Sequence, residues 1–296
     1  MVSILIPTYN YNVLPLVEAL SEEVTQLDHG VEILVLDDAS DLVISEKETL
    51  AKLKNITYTV LTENVGRTAA RHQLATKATY EKLLFLDADV LPVYSNFVAR
   101  YAAWLNEPGI VFGGISYMDE RPPATEILRW KYGHAREKRS VEQRNETPYD
   151  SLTTGCFLIE KALFLAISET IQLKAYGMDL VLKQKLKEQH IPVKHIDNPV
   201  YHLGLEENRV FFNKALEAVK TTIILEEKGW LPNDSRGIQK SYLKLKKWNA
   251  LSTFSSVFNR VKGKIERNIL SDNPNLRWFD LYRLNFYIEH KKKPRA

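Results

Sequence analysis

The 296 residues can hold one large domain, or a domain with an extension, and apolar and charged fractions of 45% and 26% match soluble globular chains. A single cysteine, Cys156, excludes an internal disulfide and a thiolate metal cluster, and the lack of any apolar run near 20 residues excludes a membrane span. The net charge of +3 gives no sign of a nucleic-acid partner, but its distribution is uneven. From Lys240 the chain reads KSYLKLKKW, NRVKGKIER and HKKKPRA, opposed only by Glu266, Asp272, Asp280 and Glu289.

Met1 leads straight into VSILIP, without the basic start or apolar length of a signal peptide, so a cytoplasmic, reducing setting is expected. Strand candidates follow at VSILIP (2–7), VEILVLD (31–37), ITYTVL (56–61), KLLFLD (82–87) and GIVFGGI (109–115). Between them YNVLPLVEALSEEVTQL, SEKETLAKLK and GRTAARHQLATKA carry apolar residues at helical spacing. This alternation predicts an α/β fold with a mostly parallel sheet flanked by helices. Residues 119–151 break the rhythm around ATEILRWKYGHAREKRS, as a flap or part of a substrate site.

LTTGCFLIEKALF then reads as a strand entering a helix, GMDLVLKQKLKEQH as an amphipathic helix, and PVKHI and PVYHL as short strands. ENRVFFNKALEAVKTTIILEEKG predicts a long helix ending at Gly229, and WLPNDSRG a loop. Beyond it the chain reads as helical, broken at SDNPN. The expected division is residues 1–228 as the catalytic domain and 229–296 as a basic helical extension.

In parallel sheets, ligands bind beyond the carboxyl ends of the strands. Asp37, Asp38, Asp87 and Asp89 sit at such ends, as do Pro7, Thr8 and Tyr9. Asp87 and Asp89 flank Ala88; on an extended backbone their side chains point the same way, roughly 6–7 Å apart. By itself the pair reads either as a polar loop or as a seat for a divalent cation. No GxGxxG follows the first strand, which disfavours a dinucleotide site.

SILIPTYN, LVLDDAS, NVGRTAARHQLATKA and FLDADV occur in an order and spacing that resembles the family 2 glycosyltransferases of the GT-A fold, over about the first 215 residues. The resemblance implies inverting transfer of a sugar from a nucleoside diphosphate donor, a UDP-sugar by expectation, to a saccharide or glycolipid acceptor. It implies that Pro7, Thr8 and Tyr9 line the nucleoside, that Asp38 accepts from the base while Asp37 supports the turn, with a helix N-cap or Asx turn before SDLVI as the alternative for both, and that Arg71 lies near the nucleotide. His72 stands where the family has Asn, and Arg67 reads as a surface residue.

Asp87, Ala88 and Asp89 match the family's DxD, with Asp87 and Ala88 on the donor and Asp89 on Mn2+ or Mg2+. His202 is the implied further ligand, with a structural histidine as the alternative, whereas His134 and His195 have no such support. Asp179 aligns with the general base, its alternative being an acid favoured at a helix start. Met178 replaces the Glu that usually precedes it, which keeps a non-catalytic nucleotide-sugar-binding module in view. A sugar nucleotidyltransferase is the weaker rival, since it would open with a Gly-rich phosphate loop. Lys214 reads as a solvated helix face or a phosphate contact, and Trp130, Tyr132 and Tyr149 as acceptor-stacking or core rings. The basic tail, with Trp248, Phe254, Phe258, Trp278 and Phe279, reads either as a peripheral contact with the inner face of a membrane or as a cap or dimer surface whose apolar stripe is buried.

Overall fold

Strands buried on both faces and helices with one apolar stripe build the first half of the chain as the periodicity predicts. The computed structural model describes residues 1–27, 30–41, 47–50, 53, 55–169 and 179–291. In chain order, β1 (Val2–Thr8), α1 (Leu14–Val24), β2 (Val31–Asp37), α2 (Lys47–Leu50), β3 (Ile56–Val60), α3 (Arg67–Lys77) and β4 (Lys82–Leu86) come first. Next come β5 (Val90–Pro92), α4 (Phe97–Ala102), β6 (Ile110–Phe112), β7 (Ile115–Ser116), α5 (Ile127–Tyr132) and α6 (Val141–Glu146). β8 (Cys156–Glu160), α7 (Lys161–Glu169), α8 (Asp179–Glu188), β9 (Val193–His195) and β10 (Val200–His202) follow. Four helices end the described residues: α9 (Asn208–Glu227), α10 (Gly237–Lys247), α11 (Leu251–Ile269) and α12 (Leu276–Lys291). Of the helix predicted over 45–54, α2 is described and most of the remainder lies outside the described residues, as does Met178.

Contacts group the chain into two units, one of Met1–Met118, Arg136–Lys174 and Lys185–Gly204, the other of Asp119–Ala135, Ala175–Gln184 and Leu205–Ala296. In the first unit the described strands form a seven-stranded sheet, ordered β3-β2-β1-β4-β8-β6-β9. β1 runs parallel to β2 from Val2↔Val31 to Thr8↔Asp37, and parallel to β4 through Leu5↔Phe85. Chain order therefore reverses at β1, and the carboxyl ends of β1, β2 and β4 open on one edge. β8 is antiparallel to β4 and pairs Leu86 with Cys156, which brings Gly155 beside Asp87. Ile4, Ile6, Ile33 and Val35 pack with Leu16, Val17 and Leu20 of α1. Each such fully buried aliphatic side chain contributes about 2 kcal/mol through area removed from water.

The single strand expected over 109–115 is two, β6 and β7, and β5 was not foreseen. Arg144 supplies the reason for the break. Its buried guanidinium donates to the carbonyls of Phe112, Gly113 and Ile196, so backbone that leaves the large sheet stays satisfied. β5, β10 and β7 then form a separate three-stranded sheet.

In the second unit, Phe211 and Phe212 of α9 pack with Phe258, Ile265 and Ile269 of α11 and with Phe279 and Tyr282 of α12. Burial is thus the outcome for Phe258 and Phe279, and Phe254 and Trp278 lean on the same core. Trp248 alone of the five tail rings is exposed. Among the described residues no helix is long and apolar enough to cross a membrane.

Gly109 immediately precedes β6, and its φ of +82° comes with a would-be Cβ 2.2 Å from the carbonyl oxygen of Pro192. Gly109→Ala is expected to cost at least about 2 kcal/mol in urea unfolding, since both the backbone angle and the close approach resist a side chain.

Candidate functional site

The loops after β1 and β2 are tied to each other. The Asp38 N–H donates to Thr8 O at 2.8 Å, the Asn10 N–H to Ser40 Oγ at 2.8 Å, and the Asp41 N–H to Asn10 Oδ1 at 2.9 Å. Asn10 and Ala39 adopt left-handed φ of 51° and 59° to make these turns. Thr8 is buried and its hydroxyl donates to Tyr11 O at 3.1 Å. Tyr9 is exposed, and its hydroxyl donates to Asp41 at 3.1 Å, which pushes the phenol pKa up. Pro7 is half-buried between the buried Ile6 and Thr8 of β1.

The adjacent aspartates at the end of β2 divide between two supports. Asp37 accepts from the Ser40 N–H at 2.8 Å and from the Tyr58 hydroxyl at 2.7 Å, the turn-supporting role expected of it. Asp38 accepts from the N–H groups of Val65 and Gly66 at 2.7 and 2.8 Å, one on each carboxylate oxygen. It thereby fixes the NVG turn that starts α3.

Arg67 and Arg71 lie one turn apart on α3, and both reach Asp87. Arg67 Nη2 donates to the two oxygens of Asp87 at 2.6 and 2.5 Å, and Arg71 Nη2 donates to Oδ1 at 2.8 Å. Arg71 also donates to Thr154 O at 2.6 Å and lies over the rings of Phe85 and Phe157. The Asp87 N–H donates to Gly155 O at 3.0 Å. Burial opposes ionisation of Asp87, but the two guanidiniums outweigh it and hold its carboxyl below the usual carboxylate range. Arg67, expected at the surface, is half-exposed with its guanidinium on Asp87. Its spacing of four from Arg71 was the available signal.

Asp89 stands in different surroundings. β5 and β10 pair antiparallel with Val90 opposite His202, so the side chains of Asp89 and His202 meet. Asp89 Oδ2 lies 3.5 Å from His202 Nε2. A Cβ on Gly204 would fall 2.2 Å from Asp89 Oδ2, so only glycine leaves the carboxylate its position. The His202 ring stacks on Tyr117 at 5.7 Å between centroids, and the Tyr117 hydroxyl donates to Glu137. Burial, then the charge of Asp89, raises the Tyr11 phenol pKa. Tyr11, Tyr117, Thr154 and Gly204 join the site only through the fold.

An aspartate oxygen and an imidazole nitrogen at this separation suit one divalent cation, and the chemistry of the pair fits Mn2+ or Mg2+. Among the described residues no group of three His, Cys, Asp or Glu side chains gathers into a complete ligand set. Two protein ligands with open positions are the pattern of an ion shared with substrate phosphates.

The remaining candidates have surroundings of their own. Asp179 is exposed and opens α8, in the second unit. Lys214 pairs with Glu206. Tyr132 packs on Phe211 and Phe279, and the Tyr149 hydroxyl donates to Ile191 O at 2.9 Å. Trp130 lies against the ring of His134. His195 is buried between Arg144 and Pro148 O, and burial lowers its pKa. His72 bonds Ser168 at 2.8 Å. Cys156 is buried against the Tyr101 hydroxyl with its pKa pushed up to about 12, a thiol rather than a nucleophile.

The model of the glycosyl transferase family 2 matches residues 3–164, more than half of the chain. Among solved structures, residues 1–349 of TarS from S. aureus share 19% identity at a TM-score of 0.51, over 99% of this chain and 93% of that one. The mannosyltransferase PcManGT from Pyrobaculum calidifontis, in complex with GDP-Man and Mn2+, shares 16% at 0.53, over 99% and 88%. Glucosyl-3-phosphoglycerate synthase from Mycobacterium tuberculosis, in complex with Mg2+ and UDP, shares 14% at 0.52, over 79% and 80%. At these identities the likeness is one of fold, and it is the GT-A-type architecture that the motifs predict. No curated protein matches the chain.

With its pKa lowered on folding, Asp87 stabilises the fold above the unfolded carboxylate value of about 4, and that contribution is lost as pH falls through the lower folded value. Arg71→Ala is expected to cost about 3 kcal/mol at neutral pH, by stripping compensation from a largely buried carboxylate. The gap to the unaltered chain should narrow in urea melts below about pH 4. A gap independent of pH would assign the loss to packing on Phe85 and Phe157 instead.

Proposed function

Because the chain belongs to glycosyl transferase family 2, we propose that it transfers a sugar with inversion from a nucleoside diphosphate donor, a UDP-sugar, to a hydroxyl of a saccharide or glycolipid. The proposed setting is polysaccharide or glycoconjugate assembly in the cytoplasm. The observation that carries this reading is the pairing of Asp89 with His202 beside the arginine-held Asp87, at the edge where β1, β2 and β4 end. Solved relatives of the fold lend support: TarS was solved with UDP-GlcNAc, and PcManGT with GDP-Man and Mn2+.

In this reading residues 1–228 bind donor and carry catalysis, and 229–296 form the basic extension. Pro7, Thr8 and Tyr9 line the nucleoside, and Asp38 offers its remaining lone pairs to a base N–H while anchoring the NVG turn. Asp87 and Ala88 meet the ribose side. Arg71 keeps Asp87 ionised from behind, and the half-exposed Arg67 offers its guanidinium to a donor phosphate. Asp89 and His202 would hold Mn2+ or Mg2+, which when bound supplies positive charge against the departing diphosphate. Asp179 takes the proton from the acceptor hydroxyl as its oxygen attacks the anomeric carbon and the bond to the diphosphate breaks.

Met178 beside that base favours a second reading, a module that binds nucleotide sugar without turning it over. Incubation with UDP-sugars and Mn2+ separates the two: slow donor hydrolysis or transfer supports catalysis, and binding without turnover supports the module.

Asp89→Ala should abolish metal-dependent UDP binding in calorimetry, and unchanged affinity would remove it as a ligand. Gly204→Ala, which drives a methyl into Asp89, should weaken Mn2+ binding about 10–100-fold while leaving Asp89 in the chain. Asp179→Asn should keep donor affinity and lose turnover by about 100-fold or more. Near-normal turnover would exclude it as the base.

A further inference from the structure

One face of α10 is committed to the interior of its unit. Ile238 and Tyr242 pack against Val219, Ile223 and Tyr287. Gln239, fully buried, donates to Glu226 and to Pro232 O. Lys240, Lys244 and Lys247 stand at i, i+4 and i+7 and are all exposed, so they share the opposite face. At the end of this row Trp248 is 63% exposed, with Lys244 Nζ 4.9 Å from its ring centroid. Lys246 is exposed as well.

The charge here is of one sign. No acidic residue occurs between Asp234 and Glu266, while the interval holds the four lysines of α10 together with Arg260, Lys262 and Lys264. A helix that only needs solubility mixes both signs on its surface. On α11, Val257 and Val261 are 57% and 43% exposed, one turn apart, near the exposed Arg260 and Lys264.

We propose that the exposed surface of α10, ending at Trp248, docks on an anionic lipid bilayer, with the exposed Val257 and Val261 of the following helix as further apolar contacts. The lysines match negative headgroups, and an indole with a cation over its face belongs at the headgroup level. The two valines are what favour a bilayer over a nucleic acid or a soluble polyanion. Apolar surface gains nothing against a phosphate backbone but is buried at the boundary of headgroup and acyl chain. The contact differs from the one first expected of the tail, because Phe258 and Phe279 are in the core and Trp248 is the exposed ring of the five. Such docking holds the whole chain at a surface where a lipid-linked acceptor resides.

The full chain should cosediment with phosphatidylcholine vesicles containing about 30% phosphatidylglycerol, and bind pure phosphatidylcholine vesicles at least ~10-fold more weakly. Raising salt to about 0.5 M should release it. The triple variant Lys240→Glu, Lys244→Glu, Lys247→Glu should lose at least ~10-fold in vesicle affinity, with an unchanged melting temperature and unchanged UDP binding. Trp248→Ser should weaken binding several-fold, and Trp248→Phe should remove the blue shift of tryptophan emission on adding vesicles. Equal affinity for neutral and anionic vesicles overturns the proposal, as does full binding by the triple variant. Binding to heparin without binding to vesicles also overturns it, in favour of a soluble polyanion. UDP binding retained while vesicle binding fails leaves the glycosyltransferase reading intact.

Discussion

A carboxylate at the end of a buried strand needs its charge matched, and Asp87 obtains this from two guanidiniums on one face of α3. That requirement organises the site. The arginines reach Asp87 only if α3 starts at the right place, and its start is held by Asp38 through the N–H groups of Val65 and Gly66. Asp38 in turn hangs from Thr8 O at the end of β1. Arg71 closes the circuit on Thr154 O, next to β8. The ends of β2 and β4 and the start of α3 are thereby locked by charge-assisted bonds, the strong class of hydrogen bond, and a backbone bond ties in the end of β1.

Asp87 and Asp89 are two residues apart and chemically identical, yet the fold separates their roles. Asp87 is neutralised by the protein itself. Asp89 meets an imidazole, in a space that the missing side chain of Gly204 leaves open. The split depends on the three-stranded sheet, whose β10 delivers His202 from more than a hundred residues downstream. Tyr117, stacked on that ring and bonded to Glu137, limits how it can turn. The pair is thus an acid and an imidazole brought within 3.5 Å of each other, the arrangement on which the proposed cation site rests.

The second unit divides its aromatic and cationic residues in another way. Phe211, Phe212, Phe258, Phe279 and Tyr282 form an interior, and the lysines of α10 are left on the outside. Buried polar contacts fix this arrangement: Glu226 of α9 accepts from Gln239 of α10 and from Tyr287 of α12, which joins three helices on one carboxylate. Such a group is costly to leave unpaired, so the helices keep one register and one outward face.

The alternating periods were enough to derive a parallel sheet, and the acids at the ends of VEILVLD and KLLFLD were enough to locate its chemical edge, because strand and helix periodicity is local and survives without tertiary information. The resemblance carried by four short motifs supplied the family. Sequence did not reveal that the exposed Arg67 lays its guanidinium on Asp87, that 109–115 breaks under the carbonyls capped by Arg144, or that β5 exists. Nor did it decide between buried and exposed tail rings. Each of these depends on a partner distant along the chain: Asp87 for Arg67, Ile196 for Arg144, β10 for β5, and Phe211 for Phe279. Local pattern records which residues prefer burial, but only packing decides which of them find it, and which charges are left facing one another.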